Sequence, residues 1–320
     1  MGQTLNNILV LGGTGFVGRA VCERLVERSV AGRIVVPTRR MAHGLRVRSL
    51  PNVELLEANV HDDAPLARTL VGVDAVINLV AILHGSQADF ERVHVALPRR
   101  LASACATAGV RRLVHVSALG VGPGAPSNYL RSKTEGEAVL TAAGLDLTLL
   151  RPSVIFGAED KFLNVFAQLQ SLAPLIPLAG SGARFQPVWV EDVASAIVAC
   201  LDQAQTIGQT YECAGPQVYT LSELVRLAGR WSGHERPQIP LPGFAGRLQA
   251  MLMELLPGEP LMSRDNVDSM SVPNIASGQL PGLTALGIDP AALEAIGPGY
   301  LGAVSGRARF DRFRAGAGRS

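Results

Sequence analysis

Residues 8–18 read ILVLGGTGFVG: four apolar residues, a glycine-rich turn and the start of an apolar helix. Gly12, Gly15 and Gly18 stand at GxxGxxG spacing. Residues without a Cβ let backbone N–H groups and a helix N-terminus come close to a pyrophosphate. A tight strand-to-helix turn also favours glycine, so the spacing alone is a weak sign. The apolar strand before it, the helix after it and its place at the head of the sequence make a nucleotide-binding turn the stronger reading.

Outward from this turn the same alternation continues. RIVVPT (33–38), VELLEA (53–58), DAVINLVA (74–81), RRLVHVSA (111–118) and LDLTLLRP (145–152) are short apolar runs. They show little polar alternation, the pattern of parallel strands covered on both faces. Helical stretches separate them, the first running from Phe16 to about Arg28. The expected fold class is α/β: a Rossmann-type doubly wound parallel sheet over residues 1–152. A smaller substrate or lid region, interleaved with it, is expected over 153–305. There, residues 162–175 read as helix up to their proline, FQPVWV (185–190) as a strand and EDVASAIVACLDQ (191–203) as an amphipathic helix. TLSE (220–223) has capping-box spacing at the head of a helix reaching Trp231. The last stretch, GRARFDRFRAGAGRS (306–320), holds five arginines and one aspartate and reads as a flexible basic tail.

The expected dinucleotide contacts begin in the turn, at Gly12, Thr14, Gly15, Phe16, Val17 and Gly18. The end of the second strand discriminates between cofactors, because an NAD site places a carboxylate there for the ribose 2′-OH. This sequence has Thr38, Arg39 and Arg40 instead. Guanidinium without carboxylate suits a 2′-phosphate, so NADP(H) is preferred over NAD(H). A solvated basic turn is the competing reading, since arginine is common in this chain. Asn59 and Val60 end the third strand where an adenine would lie, and Leu79, Val80 and Ala81 end the fourth near a ribose. Pro152 closes the sixth strand.

SNYLRSK (127–133) places Tyr129 four residues before Lys133, on one helix face. A nearby ammonium is expected to lower the phenol pKa and make Tyr129 a usable proton-transfer group. Ser117, at the end of the fifth strand, can hold a substrate carbonyl beside that phenol. The chain has 27 arginines and two lysines, Lys133 and Lys161, so a chance Tyr-x-x-x-Lys pair is the poorer explanation. Catalytic candidates are therefore Ser117, Tyr129 and Lys133, with Tyr129 and Lys133 also touching the cofactor. Lys161 either reaches the nicotinamide or substrate side or sits on a helix start. Asp192 is expected to cap the helix after it.

Composition excludes several classes. A net charge of +2 argues against nucleic-acid binding through a basic field. Four scattered cysteines without CxxC spacing and six histidines without ligand spacing support neither a disulfide framework nor a metal site. No apolar run reaches the roughly 18 residues of a membrane span. The first strand starts almost at once, so a cytoplasmic protein is expected. RLQAMLMELLPG (247–258) carries a Met/Leu stripe that packs on its own protein or docks on a partner or a membrane surface. Val80, Ile82, Leu83, Leu119, Val154, Ile155 and Phe156 are either core or the walls of a site for an apolar carbonyl, alcohol or quinone-like substrate.

Together GGTGFVG, the order Ser117–Tyr129–Lys133 and PVWVEDV (187–193) resemble the short-chain dehydrogenase/reductase superfamily, in its atypical or extended, NAD-dependent epimerase/dehydratase-like form. NYLRSKTEGE (128–137), RPSVIFGAEDKFLN (151–164) and FQPVWVEDVASAI (185–197) are similar to the branch that includes the NADPH-binding accessory subunit of respiratory complex I, and fit a bacterial form of it. The superfamily resemblance implies an oxidoreductase, epimerase or dehydratase using Ser, Tyr and Lys. The branch resemblance implies a tightly held NADPH with a structural role, association with complex I at the inner membrane, and a link to ubiquinone.

Overall fold

A computed structural model describes residues 5–28, 32–255, 260 and 262–302. The basic tail and the end of the Met/Leu stripe lie outside the described residues. Two compact units emerge, one drawn from Met1–Pro152, Val190–Cys213 and Ala276–Asp289, the other from Ser153–Trp189, Ala214–Ile275 and Pro290–Ser320.

The first unit is built on seven parallel strands: β1 (Ile8–Leu11), β2 (Ile34–Thr38), β3 (Val53–Glu57), β4 (Ala75–Asn78), β5 (Arg112–Val116), β6 (Asp146–Pro152) and β7 (Thr210–Cys213). Their spatial order is β7-β6-β5-β4-β1-β2-β3, with the chain reversing direction of travel across β1. β1 pairs with both β2 and β4, through Ile8↔Ile34 and Ile8↔Ala75. β1 and β2 are buried at every position, which is why their sequences lack alternation.

Helices α1 (Phe16–Glu27), α2 (Asp63–Thr69), α3 (Leu97–Ala108), α4 (Asn128–Thr141) and α5 (Val190–Asp202) cover the sheet. Leu66 and Leu70 around α2, Leu101 and Cys105 on α3 and Leu140 on α4 pack with Leu9, Val76, Leu113 and Leu149 of the strands. Each such fully buried aliphatic side chain contributes about 1.5–3 kcal/mol. α1 packs on α5, where Arg24 Nε meets Glu191 at 3.2 Å. The buried Arg112 guanidinium, with no carboxylate on it, donates to the carbonyls of Asp146 (2.6 Å) and Cys200 (2.6 Å) and to Thr148 Oγ1 (2.8 Å).

Several sequence expectations are sharpened here. The run 74–81 leaves the sheet at Asn78, whose own side-chain oxygen accepts the Val80 amide. FQPVWV is not one strand: Arg184–Phe185 and Val188–Trp189 pair with different partners, broken at Gln186–Pro187, where Pro187 has no N–H to give. The helix read at 191–203 begins at Val190, so Asp192 lies in its first turn rather than capping it. α5 and β7 belong to the first unit because β7 pairs with β6 along Leu149–Pro152.

In the second unit, helices Leu163–Leu172, Leu221–Ser232 and Leu293–Leu301 enclose a core of Phe156, Leu163, Ala167, Leu224, Ala228, Leu293 and Leu301. Phe156 is therefore core, not a site wall. The TLSE box forms as read, Thr220 accepting from the Glu223 amide and Glu223 from Thr220. Strand Ile176–Ala179 pairs in parallel with Gln238–Leu241. Helix Gly243–Glu254 lies against Ile176–Ala179 through Gly246, yet leaves Phe244, Leu248 and Leu252 exposed.

Candidate functional site

The glycine turn forms a cradle that larger residues would fill. Gly12 adopts φ +83°, and a Cβ there would sit 3.2 Å from the Leu79 carbonyl carbon. A Cβ on Gly18 would lie 2.2 Å from the Gly12 oxygen, so the first turn of α1 can fold this tightly under the loop only with glycine. Gly15 precedes α1 in extended conformation, without a side-chain cap. The N–H groups of the first helical turn (Phe16, Val17, Gly18) have no intrahelical acceptor and suit an anion.

Beside the cradle lies a cleft of about 490 Å³ lined by Gly12, Thr14, Pro37, Thr38, Arg39, Arg40, His43, Ala58, Val60, His61 and Val80. Seven of the sequence-selected residues line this one cleft, and among the described residues no carboxylate does. Thr38 Oγ1 donates to the Arg40 carbonyl at 3.0 Å and accepts the Arg40 amide at 3.3 Å, which shapes the basic turn. Asn59 stands back from the cleft: its oxygen accepts the His61 amide and its nitrogen donates to Asp62.

Neither His43 nor His61 has a ligand-type spacing that would single it out in the sequence. Both line the cleft. His61 Nδ1 is buried without a hydrogen-bond partner among the described residues. Burial, with Arg92, Arg39 and Arg100 nearby, pushes the imidazole of His61 below its ordinary pKa. Several arginines converging on one neutral ring mark the rim as an anion-seeking surface.

The second part of the site is more enclosed, with Lys133 and Ser117 buried and Tyr129 half-buried. Lys133 is 2% exposed, and its ammonium donates to the Val116 carbonyl at 2.8 Å. That bond fixes α4 against the end of β5, one residue before Ser117. Ser117 Oγ is buried and has no hydrogen-bond partner among the described residues, while its amide donates to Leu150 at 2.7 Å. Ser127 caps α4 by accepting the Leu130 amide, which sets Tyr129 and Lys133 on the first turns. Leu79 and Ala81 belong to the loop after β4, and the Pro152 carbonyl accepts the Leu119 amide at 2.9 Å.

One electrostatic expectation is reversed. Burial pushes the Tyr129 phenol up to about 12, and burial lowers Lys133 to about 8 against a smaller raising effect of Glu137. The low-dielectric surroundings outweigh the attraction that an ammonium would exert on a phenolate. Glu137, itself held by the Arg151 guanidinium at 2.9 and 2.5 Å, keeps a carboxylate one turn from Lys133. Among the residues offered as apolar walls, Leu119 is buried and Leu83 exposed. Lys161 is exposed just before helix Leu163–Leu172 in the second unit.

Three features fit a nicotinamide dinucleotide: the cradle that a Cβ would fill, the carboxylate-free cationic cleft and the orphaned Ser117 hydroxyl. Residues 8–214 match the NAD dependent epimerase/dehydratase family, and the chain belongs to it. Within known proteins it is similar to the mouse NADH dehydrogenase [ubiquinone] 1 alpha subcomplex subunit 9, at 33% identity over 89% of this chain and 77% of that one. It is also similar to the ceramide reductase of Caulobacter vibrioides, at 28% identity over 73% of each chain. The NADPH-dependent quinone oxidoreductase of Escherichia coli, solved with NADPH, shares the fold at a TM-score of 0.73 and 21% identity over 92% of this chain and 99% of that one.

Among the described residues no cluster of His, Cys, Asp and Glu is placed to hold a metal ion, and no helix is long and apolar enough to cross a membrane.

Proposed function

We propose that this protein is an NADPH-dependent reductase of an apolar carbonyl or quinone-like compound. The observation that carries the catalytic reading is Ser117 Oγ, buried, without a partner and next to the carbonyl that anchors Lys133. A buried polar atom left open in a folded protein calls for a ligand atom, and a substrate oxygen would satisfy it.

When bound, NADPH would supply the hydride for the substrate carbon. This chain supplies the rest. Arg39 and Arg40 would hold the 2′-phosphate, and the cradle from Gly12 to Gly18 would take the pyrophosphate. Val60 would flank the adenine with Asn59 shaping the turn behind it, and Leu79, Val80, Ala81 and Pro152 would shape the path towards the nicotinamide. Ser117 donates a hydrogen bond to the substrate oxygen, and Tyr129 Oη delivers the proton to it. A phenol raised by burial stays protonated at neutral pH, which favours the reductive direction. Lys133 binds ribose and, once charged, stabilises the phenolate left behind. A division of labour between the dinucleotide unit, to which Val190–Cys213 and Ala276–Asp289 return, and a substrate region drawn from the rest of 153–305 is part of the proposal, as is a cytoplasmic location.

A second reading is favoured by the similarity to the alpha subcomplex subunit 9 across most of both chains. Here the protein holds NADPH without turning it over and serves as an accessory or assembly factor of respiratory complex I, peripheral at the inner membrane. The exposed Phe244, Leu248 and Leu252 would then meet a partner or a lipid surface. Identifying the nucleotide that co-purifies and following its oxidation against a panel of hydrophobic ketones and quinones separates the two. Exchangeable NADPH consumed by a member of the panel supports the reductase. Tightly retained, inert NADPH, with respiratory subunits in a pull-down at native expression, supports the accessory protein. Absence of any NADP(H) preference overturns both.

A further inference from the structure

We propose that His94 is a positioning residue that ties the loop after β4 to the helix carrying Tyr129 and Lys133, and so sets the nicotinamide half of the site. The inference rests on the dinucleotide reading above and adds to it a residue that no motif selects.

His94 stands in a π-helical turn, Arg92–Ala96, between the short helix Gln87–Glu91 and α3. Such turns insert one extra residue into a helix and redirect a side chain. The imidazole is 2% exposed, lies on the Phe90 ring at 5.6 Å and meets the Tyr129 ring edge-on at 5.5 Å. α4 comes against the same turn directly: a Cβ on Gly136 would lie 2.0 Å from the His94 carbonyl oxygen.

The hydrogen bonds assign the tautomer. The Ile82 amide can only donate, and it points at Nε2 at 3.1 Å, so Nε2 carries the lone pair. The ring proton of the neutral imidazole is then on Nδ1, which donates to Ser132 Oγ at 2.8 Å. Ser132 is free to accept because its own proton goes to the Tyr129 carbonyl at 2.8 Å. The chain Ile82 N–H to His94 to Ser132 to the Tyr129 carbonyl is thus satisfied at each atom, in one direction. Burial, assisted by Lys133, lowers His94 to about 3 and keeps this arrangement neutral.

The other end of the loop is held with matching logic. The Asn78 oxygen accepts the Val80 amide at 3.2 Å, so its nitrogen faces His115 Nδ1 at 3.1 Å and donates. His115 is therefore the Nε2–H tautomer, the opposite of His94. Val80 lines the nucleotide cleft, and Leu79 lies against Gly12. Two buried neutral imidazoles thus hold the segment 78–82, with the glycine cradle at one end and Tyr129 at the other. Loss of the His94 link frees Ile82 and the backbone beside Tyr129 while leaving the arginine rim untouched.

The test compares NADPH, by its fluorescence, with 2′,5′-ADP, which lacks the nicotinamide half, by calorimetry; NADH and ADP replace them if the protein takes the unphosphorylated cofactor. His94→Phe keeps the ring and removes both hydrogen bonds, and His94→Gln restores an acceptor near the Nε2 position. His94→Phe is expected to weaken NADPH about 10-fold, the loss of one or two buried hydrogen bonds, with 2′,5′-ADP within about 2-fold. His94→Gln is expected to recover most of that loss. If His94→Phe does not fold, Ser132→Ala carries the test, with a smaller loss confined to NADPH. An unchanged ratio of the two affinities, an equal weakening of both, or a Gln variant no better than Phe overturns the positioning role. Wild-type protein that binds neither nucleotide overturns the dinucleotide reading itself, and this inference with it.

Discussion

The two halves of the site solve opposite electrostatic problems. At the ends of β2 and β3, Arg39 and Arg40 are exposed at the rim of an open cleft, where water sustains their charge. At the end of β5, Lys133 is buried and the phenol of Tyr129 is pushed up, while His94 and His115 are held neutral. The contrast teaches that one half attracts an anion by charge, and the other orients groups by hydrogen bonds in a medium that resists charge.

The largest break in this comparison comes from Tyr129→Phe. If the enclosed half moves the proton, turnover of any accepted substrate falls about 10²–10⁴-fold, while NADPH affinity changes little. Steady-state rates beside a fluorescence titration decide it, and an undiminished rate removes Tyr129 from the chemistry. Next comes the open half: Arg39→Ala with Arg40→Ala is expected to weaken NADPH about 10–100-fold and NADH hardly at all. Rising salt should erode the wild-type preference in the same way. Equal weakening of both cofactors would reduce the arginines to a solvated turn.

Smaller effects come from pH. The folded His94 sits near 3 against an ordinary 6.5, and His115 is lowered as well. Between those values the unfolded chain binds protons that the folded one refuses, so stability falls as pH drops from 6.5 towards 3. The slope is at most about 1.4 kcal/mol per pH unit for each histidine. Urea denaturation across that range should show the loss, and His94→Gln should flatten it; an identical slope in the variant contradicts the burial of a neutral ring.

On the alkaline side Lys133 is lowered to about 8 from 10.5, so the unfolded chain again binds the extra proton and stability rises over that window. Tyr129, raised from 10.0 to about 12, then holds a proton that the unfolded chain has lost, and stability declines. Lys133→Met should erase the rise and leave the decline in urea denaturation across that range, over a narrower window than the one set by His94.

Much of the first unit was legible because parallel strands buried on both faces leave uninterrupted apolar runs. Six strands and the glycine turn could be read that way. β7 could not: TYEC is short and mixed, and its Glu212 is tolerated because Ser277 donates from both its amide and its hydroxyl. The return of Val190–Cys213 to the first unit was equally hidden, since strand pairing over long separations leaves no local period. For the site, Thr38, Arg39, Arg40, Val60 and Val80 were chosen by strand end and prove to share one cleft. His43, His61 and His94 were not, because a histidine's partners come from distant segments.

By itself the sequence determined the parallel α/β sheet, the nucleotide turn and the pairing of Tyr129 with Lys133. Those features depend on local period, on the need for glycine where a Cβ would collide and on helical spacing. Only the tertiary structure decided the protonation of the groups around them. It buried Lys133 against the Val116 carbonyl, raised the Tyr129 phenol instead of lowering it, and gave His94 and His115 opposite tautomers. Desolvation and hydrogen-bond direction depend on which segments meet in three dimensions, and these meet across separations of 12 to 38 residues.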